Sequence, residues 1–474
     1  MAEALWTSEE LLKATSGRLH GAVTQRLDAV SIDSRAVKAG DIFIAIKGER
    51  HDGHDFVAGA LKAGAGLGVV SRVTPEMTAA GPVLEVAEDP LRGLENMGRF
   101  ARQRCHGQIV AVTGSVGKTS TKEMLRTALS ASGATHASAA SFNNHWGVPL
   151  TLARMPRETA FGVFEIGMNH AGEITPLVGM VRPHVAIITT IAPSHLGNFS
   201  SLDGIADAKA EIFSGLVPGG HAVISRDTPY FERLAAAAKA AGISHVASFG
   251  KHAEADVRME RVALHADCCC VTASIFGETV IYKLGMPGEH MAVNSLAVLA
   301  AAKLAGADLA RAALALAAAE PAKGRGVREK LTVPGGEIML IDESYNANPA
   351  SVGAALALLG ASKPGPRGRR IAVLGDMLEL GEKGPELHAG LFDPMDAAKV
   401  DVLYAAGPLM ANLWDRVPGD RRGAYAAASE GLRDAVLAGL RPGDVVMVKG
   451  SLGSRMGPLV EAIRAAYPPL PKES

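Results

Sequence analysis

Residues 109–120, Ile-Val-Ala-Val-Thr-Gly-Ser-Val-Gly-Lys-Thr-Ser, constrain the fold more than any other stretch of the chain. An apolar, β-branched run breaks at two glycines and restarts at Lys-Thr-Ser, which reads as a buried parallel strand turning tightly into a helix. Such a turn aims successive backbone N–H groups at one point, where the helix dipole favours an anion. Gly114, Ser115, Val116, Gly117, Lys118, Thr119 and Ser120 are therefore expected around a nucleotide's phosphates. Lys118 adds a compact cation for the β- and γ-phosphates and Thr119 a hydroxyl for Mg²⁺. The position of the usual first glycine holds Val112, so the loop is shorter than a standard phosphate loop.

A chain of 474 residues has room for about three domains. Strand-like runs at 41–46, 67–70 and 82–86 read as a small α/β unit. Leu91, Leu94, Met97 and Phe100 recur every three residues, predicting a helix over 89–103 that leads into the next unit. From there, strands at 109–113, 161–166, 185–191 and 222–225 alternate with helices at 120–131, 202–216 and 230–241, the pattern of a parallel sheet covered on both faces. Residues 257–284 carry strand-like runs and no helix, which suggests an antiparallel patch. Ala-rich helices at 289–305 and 308–319 precede a linker rich in Pro, Gly and basic residues at 321–328. Alternation then resumes at 337–341, 349–359, 370–374, 400–405 and 444–448. The expected architecture is α/β in three domains: a small N-terminal α/β domain (1–106), a central phosphate-loop parallel-sheet ATPase domain with an antiparallel patch (107–326), and a C-terminal Rossmann-like domain (327–474).

With 48 basic and 49 acidic residues the net charge is -1, which leaves no global field for nucleic acid or an anionic membrane. Apolar runs fall short of the ~20 residues a membrane span needs. The stretch 1–10 is acidic and has no leader pattern, so the expected compartment is the cytoplasm. Cys268, Cys269 and Cys270 are adjacent, without zinc-ligand spacing, and are expected as core residues.

Three further residues bear on chemistry. Glu165 ends the 161–166 strand and His195 follows the 185–191 strand, both at the carboxyl edge where open α/β sheets bind ligands. Read alone, each also fits a helix cap or a solvated loop residue. Lys209 lies on the inward stripe of Leu202, Ile205 and Ile212. A lysine there must pair, with Asp207, Glu211 or Glu165 as candidates, or become neutral. A neutral amine can take up CO₂ as a carbamate, turning a cation into a carboxylate ligand.

The sequence resembles the Mur ligases over essentially its whole length. The resemblance rests on Thr113–Thr119, the Asn143-Asn144-His-Trp-Gly147 run, Glu165 to Glu173, His195, Ala206 to Phe213, Gly288 to Asn294, Lys323-Gly-Arg325 and Asp342-Glu-Ser-Tyr345-Asn346-Ala-Asn348-Pro349, all in the family's order. Asp33-Ser34-Arg35, the run from Gly40 through Lys47 to Phe56, and Ser-Tyr-Asn-Ala-Asn-Pro make it most similar to the branch that adds D-alanyl-D-alanine. That implies an ATP-dependent ligase joining this dipeptide to UDP-N-acetylmuramoyl-tripeptide through an acyl phosphate, for peptidoglycan precursors, as a monomer. The resemblance implies Lys118, Glu165, His195, Lys209 and Arg325 as the catalytic set. It implies Thr119, Glu165, His195 and carbamylated Lys209 on Mg²⁺. Asn144, His290, Asn294, Arg325 and Asp342 would contact ATP; Ser34, Arg35 and Lys47 the UDP-sugar; Tyr345, Asn346 and Asn348 the dipeptide. Ser141 and Met291 replace common asparagines, and the segment 449–457 lacks the usual closing acid. A sibling ligase adding one amino acid and an uncoupled phosphate-loop ATPase are the alternatives, and no Asp-Asn-Pro-Arg segment of the diamino-acid-adding type is present.

Overall fold

The computed structural model describes residues 4–199 and 201–470; residues 1–3 of the acidic N-terminal stretch lie outside the described residues. Three sheets follow one another along the chain. The first contains β1 (Arg18–His20), β2 (Ala29–Ser31), β3 (Asp41–Ile44), β4 (Leu67–Val70) and β5 (Val83–Glu85) in the order β1-β5-β4-β3-β2. β2 to β5 run parallel and β1 pairs antiparallel at the edge. β1 and β2 have three residues each, too few for a hydrophobic period to show in the sequence.

The helix expected over 89–103 is Pro90–Arg104. Asp89 accepts from Leu91 N at 2.9 Å and Pro90 occupies the first turn, which fixes its start. Its Leu94, Met97 and Ala101 are fully buried with Leu150 and Ala153 of the central unit. Arg102 donates to the carbonyls of Val181 at 2.7 Å and Arg182 at 2.8 Å. This helix therefore belongs to the cores of both units.

The central sheet comprises β6 (Gln108–Thr113), β7 (Thr135–Ala137), β8 (Phe161–Glu165), β9 (Val185–Ile188), β10 (His221–Ser225), β11 (His245–Gly250), β12 (Val257–Leu264), β13 (Cys269–Ile275) and β14 (Glu278–Leu284). Its order is β14-β13-β12-β11-β10-β9-β6-β8-β7, and the expected antiparallel patch is β12 to β14. β6 lies between β8 and β9 and is parallel to both, so the strand order reverses there and the ends of all three meet. Met124, Leu125, Ala128 and Leu129 of helix Lys118–Ser130 are buried with Val110 and Val112 of β6. The helix expected over 202–216 ends early: Leu202–Ala210 is α-helical and Glu211–Gly215 is a 3-10 turn. Cys268 and Cys269 are buried, whereas Cys270, pointing the other way on β13, is exposed and departs from the core expectation.

The third sheet comprises β15 (Val327–Val333), β16 (Gly336–Glu343), β17 (Arg370–Gly375), β18 (Val402–Ala406), β19 (Arg422–Ala426) and β20 (Val445–Lys449), ordered β15-β16-β20-β17-β18-β19. All pairs are parallel except β15 with β16. β15 begins at Val327, so the segment read as a linker over 321–328 already enters a strand at its end.

Candidate active site

A cleft of about 750 Å³ is lined by the β6 turn, the 141–145 and 167–169 loops, His195, His290 and the 343–346, 378–379 and 449–453 segments of the third unit. Its floor is the β6 turn. Gly114 has φ +147° and a Cβ there would fall 1.9 Å from Thr189 Oγ1. Gly117, at φ +87°, would place a Cβ 2.6 Å from Asn294 Nδ2. Both positions require glycine. Gly117 caps helix Lys118–Ser130, so the N–H groups of Lys118, Thr119 and Ser120 in its first turn have no helical acceptors. Ser115 donates its N–H to Thr190 O at 2.8 Å, while its buried Oγ has no hydrogen-bond partner among the described residues. Lys118 folds back to donate from Nζ to Gly114 O at 2.7 Å. Burial pushes its pKa down, the Glu165 carboxylate pulls it back up, and Arg325 adds to the lowering.

Beside the turn, Thr119 Oγ1 donates to Glu165 Oε2 at 2.8 Å and Asn143 Nδ2 donates to Glu165 Oε1 at 2.7 Å. Glu165 is 1% exposed. Ser141 Oγ lies 3.4 Å from Thr119 Oγ1 and accepts from Arg325 Nη2 at 3.3 Å. The Arg325 guanidinium also stands 4.2 Å over the Tyr345 ring. Asn143 and Ser141 are thus site residues outside the expected set. The signal for Asn143 was its doubling with Asn144, whose own Oδ1 accepts from Trp146 N and Gly147 N and shapes the same loop. That loop is clamped from below by Lys122, 0% exposed, whose Nζ donates to Ser138 O and Ala140 O at 2.7 Å each.

His195 lines the cleft, whereas Lys209 is not among its lining residues but lies near enough to Lys118 to feel its charge. Lys209 is 1% exposed, and two of its expected partners are engaged elsewhere: Asp207 with Arg233 at 2.7 Å, and Glu211 with the N–H groups of Gly172, Ile174 and Thr175. No carboxylate among the described residues lies within ion-pair distance of its Nζ, Glu165 included. Burial holds its pKa well below the ordinary lysine value, and the nearby charge of Lys118 adds to that. His195 sits at φ 57°, its Nδ1 2.5 Å from Glu379 Oε2 of the third unit. Burial lowers its pKa; Glu379 opposes this, and Lys118 and Lys209 reinforce it.

Other expected residues are placed as follows. His290 opens helix Glu289–Leu304 on the cleft wall and burial lowers its pKa, while Asn294 abuts Gly117. Asp342 is 1% exposed and accepts from Ser344 Oγ at 2.6 Å and Arg464 Nη2 at 3.1 Å, so it braces the end of β16 rather than lining the cleft. Asn346 lines the cleft, and Lys449 Nζ binds its carbonyl and Glu343 Oε2 at 3.0 Å each. Asn348 caps helix Pro349–Ala361 through Ser351 N at 2.9 Å. Ser34, Arg35 and Lys47 follow the carboxyl ends of β2 and β3, outside the cleft proper. Arg35 pairs with Asp33 at 2.9 Å and holds that carboxyl down to about 2. Gly48, next to Lys47, faces the Trp146 ring of the Asn144 loop, and a Cβ added there would lie 3.5 Å from that ring.

Among the described residues no three His, Cys, Asp or Glu side chains cluster as a metal cage. The Thr119 hydroxyl and Glu165 carboxylate, which share a hydrogen bond under a phosphate-type turn, instead form a small oxygen set. Mg²⁺ fits that set, since it commonly takes one or two carboxylates and completes its shell with phosphate and water.

Comparison with known proteins identifies the family. Residues 26–98, 112–302 and 329–452 match the models of the Mur ligase family catalytic domain, the Mur ligase middle domain and the Mur ligase glutamate ligase domain. The UDP-N-acetylmuramoyl-tripeptide–D-alanyl-D-alanine ligase of Rickettsia prowazekii is 30% identical, covering 96% of this chain and 99% of that protein. The Escherichia coli protein of that name is 34% identical over 85% of this chain and 86% of its own length. A MurF crystal structure from Acinetobacter baumannii superposes with a TM-score of 0.84 at 30% identity, covering 97% and 99% of the two chains. The MurF ligase of Thermotoga maritima in complex with ADP, 24% identical, shares the fold with a TM-score of 0.74 over 93% and 98% of the chains. This chain belongs to the Mur ligase family, and within it is similar to the UDP-N-acetylmuramoyl-tripeptide–D-alanyl-D-alanine ligases.

Proposed function

We propose that the cleft joins D-alanyl-D-alanine to UDP-N-acetylmuramoyl-tripeptide, with conversion of ATP to ADP and phosphate, as a cytoplasmic step of peptidoglycan precursor synthesis. The observation that carries this reading is the convergence on one cleft of a phosphate turn from the central sheet and side chains from the third unit, within a family of ATP-dependent ligases. A carboxylate is a poor electrophile, and bound ATP with Mg²⁺ supplies the phosphoryl group that converts it to an acyl phosphate open to attack by the dipeptide amine.

The chain's own contribution is positioning and charge. Residues 114–120 cradle the phosphates, with Lys118 released from Gly114 O to meet them. Arg325, already aimed at Ser141 beside the turn, offsets charge on the transferring group. Thr119 and Glu165 hold the first Mg²⁺. His195 and Lys209 would hold the second, Lys209 once its buried amine, which has no carboxylate partner among the described residues, had taken up CO₂ as a carbamate. His290, Asn294 and Asn144 flank the nucleotide, and Asp342 acts near the ribose by fixing the end of β16. Residues 1–106 bind the UDP-sugar through Ser34, Arg35 and Lys47, residues 107–326 bind ATP, and residues 327–474 present the dipeptide beside Tyr345, Asn346 and Asn348. Replacement of D-alanyl-D-alanine by single amino acids should abolish acceptor-dependent ADP release. Equal release with glutamate or a diamino acid would instead support a sibling ligase.

A further inference from the structure

The proposed metal site explains Glu165, His195 and Lys209 but not Glu379, which comes from a different sheet and still touches His195. Glu379 follows β17 in the third unit, with its Oε2 2.5 Å from His195 Nδ1. Both residues adopt the left-handed backbone region, at φ 64° and 57°, which side-chain-bearing residues rarely occupy. Their loops interlock: Gly197 N donates to Glu379 O at 2.9 Å, and a Cβ on Gly381 would lie 3.2 Å from Gly197 Cα. The contact is local and paired, backbone to backbone and side chain to side chain.

Resting on the assignment of His195 as a metal ligand, we propose that Glu379 is a positioning residue delivered by the third unit. Its carboxylate stands at ion-pair distance from a buried Nδ1 that has no aligned hydrogen-bond partner among the described residues; as the imidazole turns to the cation the carboxylate takes up that N–H and fixes the tautomer that leaves the Nε2 lone pair for the metal. Carboxylates that orient metal-ligating imidazoles act in this way and set metal affinity. The metal site is then complete only when the third unit is docked, so the unit that presents the dipeptide also prepares the centre that activates the carboxylate. Docking and phosphoryl transfer are coupled through one imidazole.

Glu379→Gly removes the carboxylate and suits the positive φ, so it preserves the loop; Glu379→Gln keeps an acceptor oxygen. Two quantities are measured in full-length protein: Mn²⁺ binding in the presence of ADP by electron paramagnetic resonance, and phosphate release as a function of Mg²⁺ concentration. Glu379→Gly is expected to weaken Mn²⁺ binding and raise the half-saturating Mg²⁺ about tenfold, with an unfolding temperature equal to or above wild type. Glu379→Gln is expected to fall between the two. Unchanged metal dependence in Glu379→Gly, alongside a shift in His195→Ala, overturns this inference and leaves the metal assignment standing. Unchanged metal dependence in both overturns the two together. A purely structural contact would lower the unfolding temperature of Glu379→Gly and leave its metal dependence alone.

Discussion

Lys118 and Lys209 are both lysines near one phosphate turn, yet their surroundings give them opposite work. Lys118 has Gly114 O and the Glu165 charge to hold its cation. Its removal, Lys118→Ala, should lower the rate of ADP release about 100- to 1,000-fold, the loss usual for a preorganised charge at a transition state. The UDP-sugar affinity measured by calorimetry should be unaffected, and a retained normal rate contradicts the phosphate role. Lys209 has no carboxylate partner among the described residues, and its pKa is lowered by burial and then by Lys118. The sign follows: a lowered amine pKa increases the neutral fraction at neutral pH, and only the neutral amine adds CO₂. Protein equilibrated with ¹³C-bicarbonate should show a carbamate ¹³C resonance that is absent from Lys209→Arg; an identical spectrum from both refutes the modification. Lys209 was legible in sequence because helical spacing alone puts it on an inward stripe. Asn143 and Ser141 were marked only by the resemblance and the Asn-Asn doubling, and Glu379 not at all, because each reaches the site through a loop whose path is set by tertiary packing rather than by any period.

The phosphate turn works because the elements around it are locked. β6 is flanked by parallel strands on both sides, and the 138–144 loop is pinned to helix Lys118–Ser130 through Lys122. Lys122→Met leaves two carbonyls without their donor and should cost about 1–3 kcal/mol of stability in denaturant unfolding. It should also raise the KM for ATP, since Ser141 and Asn143 ride on that loop; an unchanged KM would show that the loop holds its shape without the clamp. Strands buried on both faces, such as β6, β8 and β9, announced themselves as apolar runs. β19, with alternating half-buried and exposed residues at a sheet edge, and the three-residue β1, β2 and β7 did not, because neither burial nor length gave them a pattern. The end of helix Leu202–Ala210 was missed for a different reason: Glu211 spends its carboxylate capping the 172–175 turn, a tertiary event that local propensity does not encode.

Across the whole molecule, the cleft lies where strand-end loops of the central and third sheets meet, with Arg92, Glu95 and Arg99 of helix Pro90–Arg104 also in its lining. Such an arrangement excludes water from an acyl phosphate only if the third unit moves with its ligands bound. Solution scattering with ATP analogue, UDP-sugar tripeptide and dipeptide together should give a more compact profile than the free protein, and superimposable profiles contradict closure. Three-unit organisation was readable from the restart of strand–helix alternation after residue 326, whereas the contact of His195 with Glu379 joins positions far apart in the chain and is visible only in three dimensions. The central claim is that phosphoryl transfer is committed to peptide bond formation. It is tested most directly by inorganic phosphate release from the purified chain with ATP, Mg²⁺ and UDP-N-acetylmuramoyl-tripeptide, with and without D-alanyl-D-alanine. Sustained release only when both peptide substrates are present is the predicted result; equal release from ATP alone would contradict it.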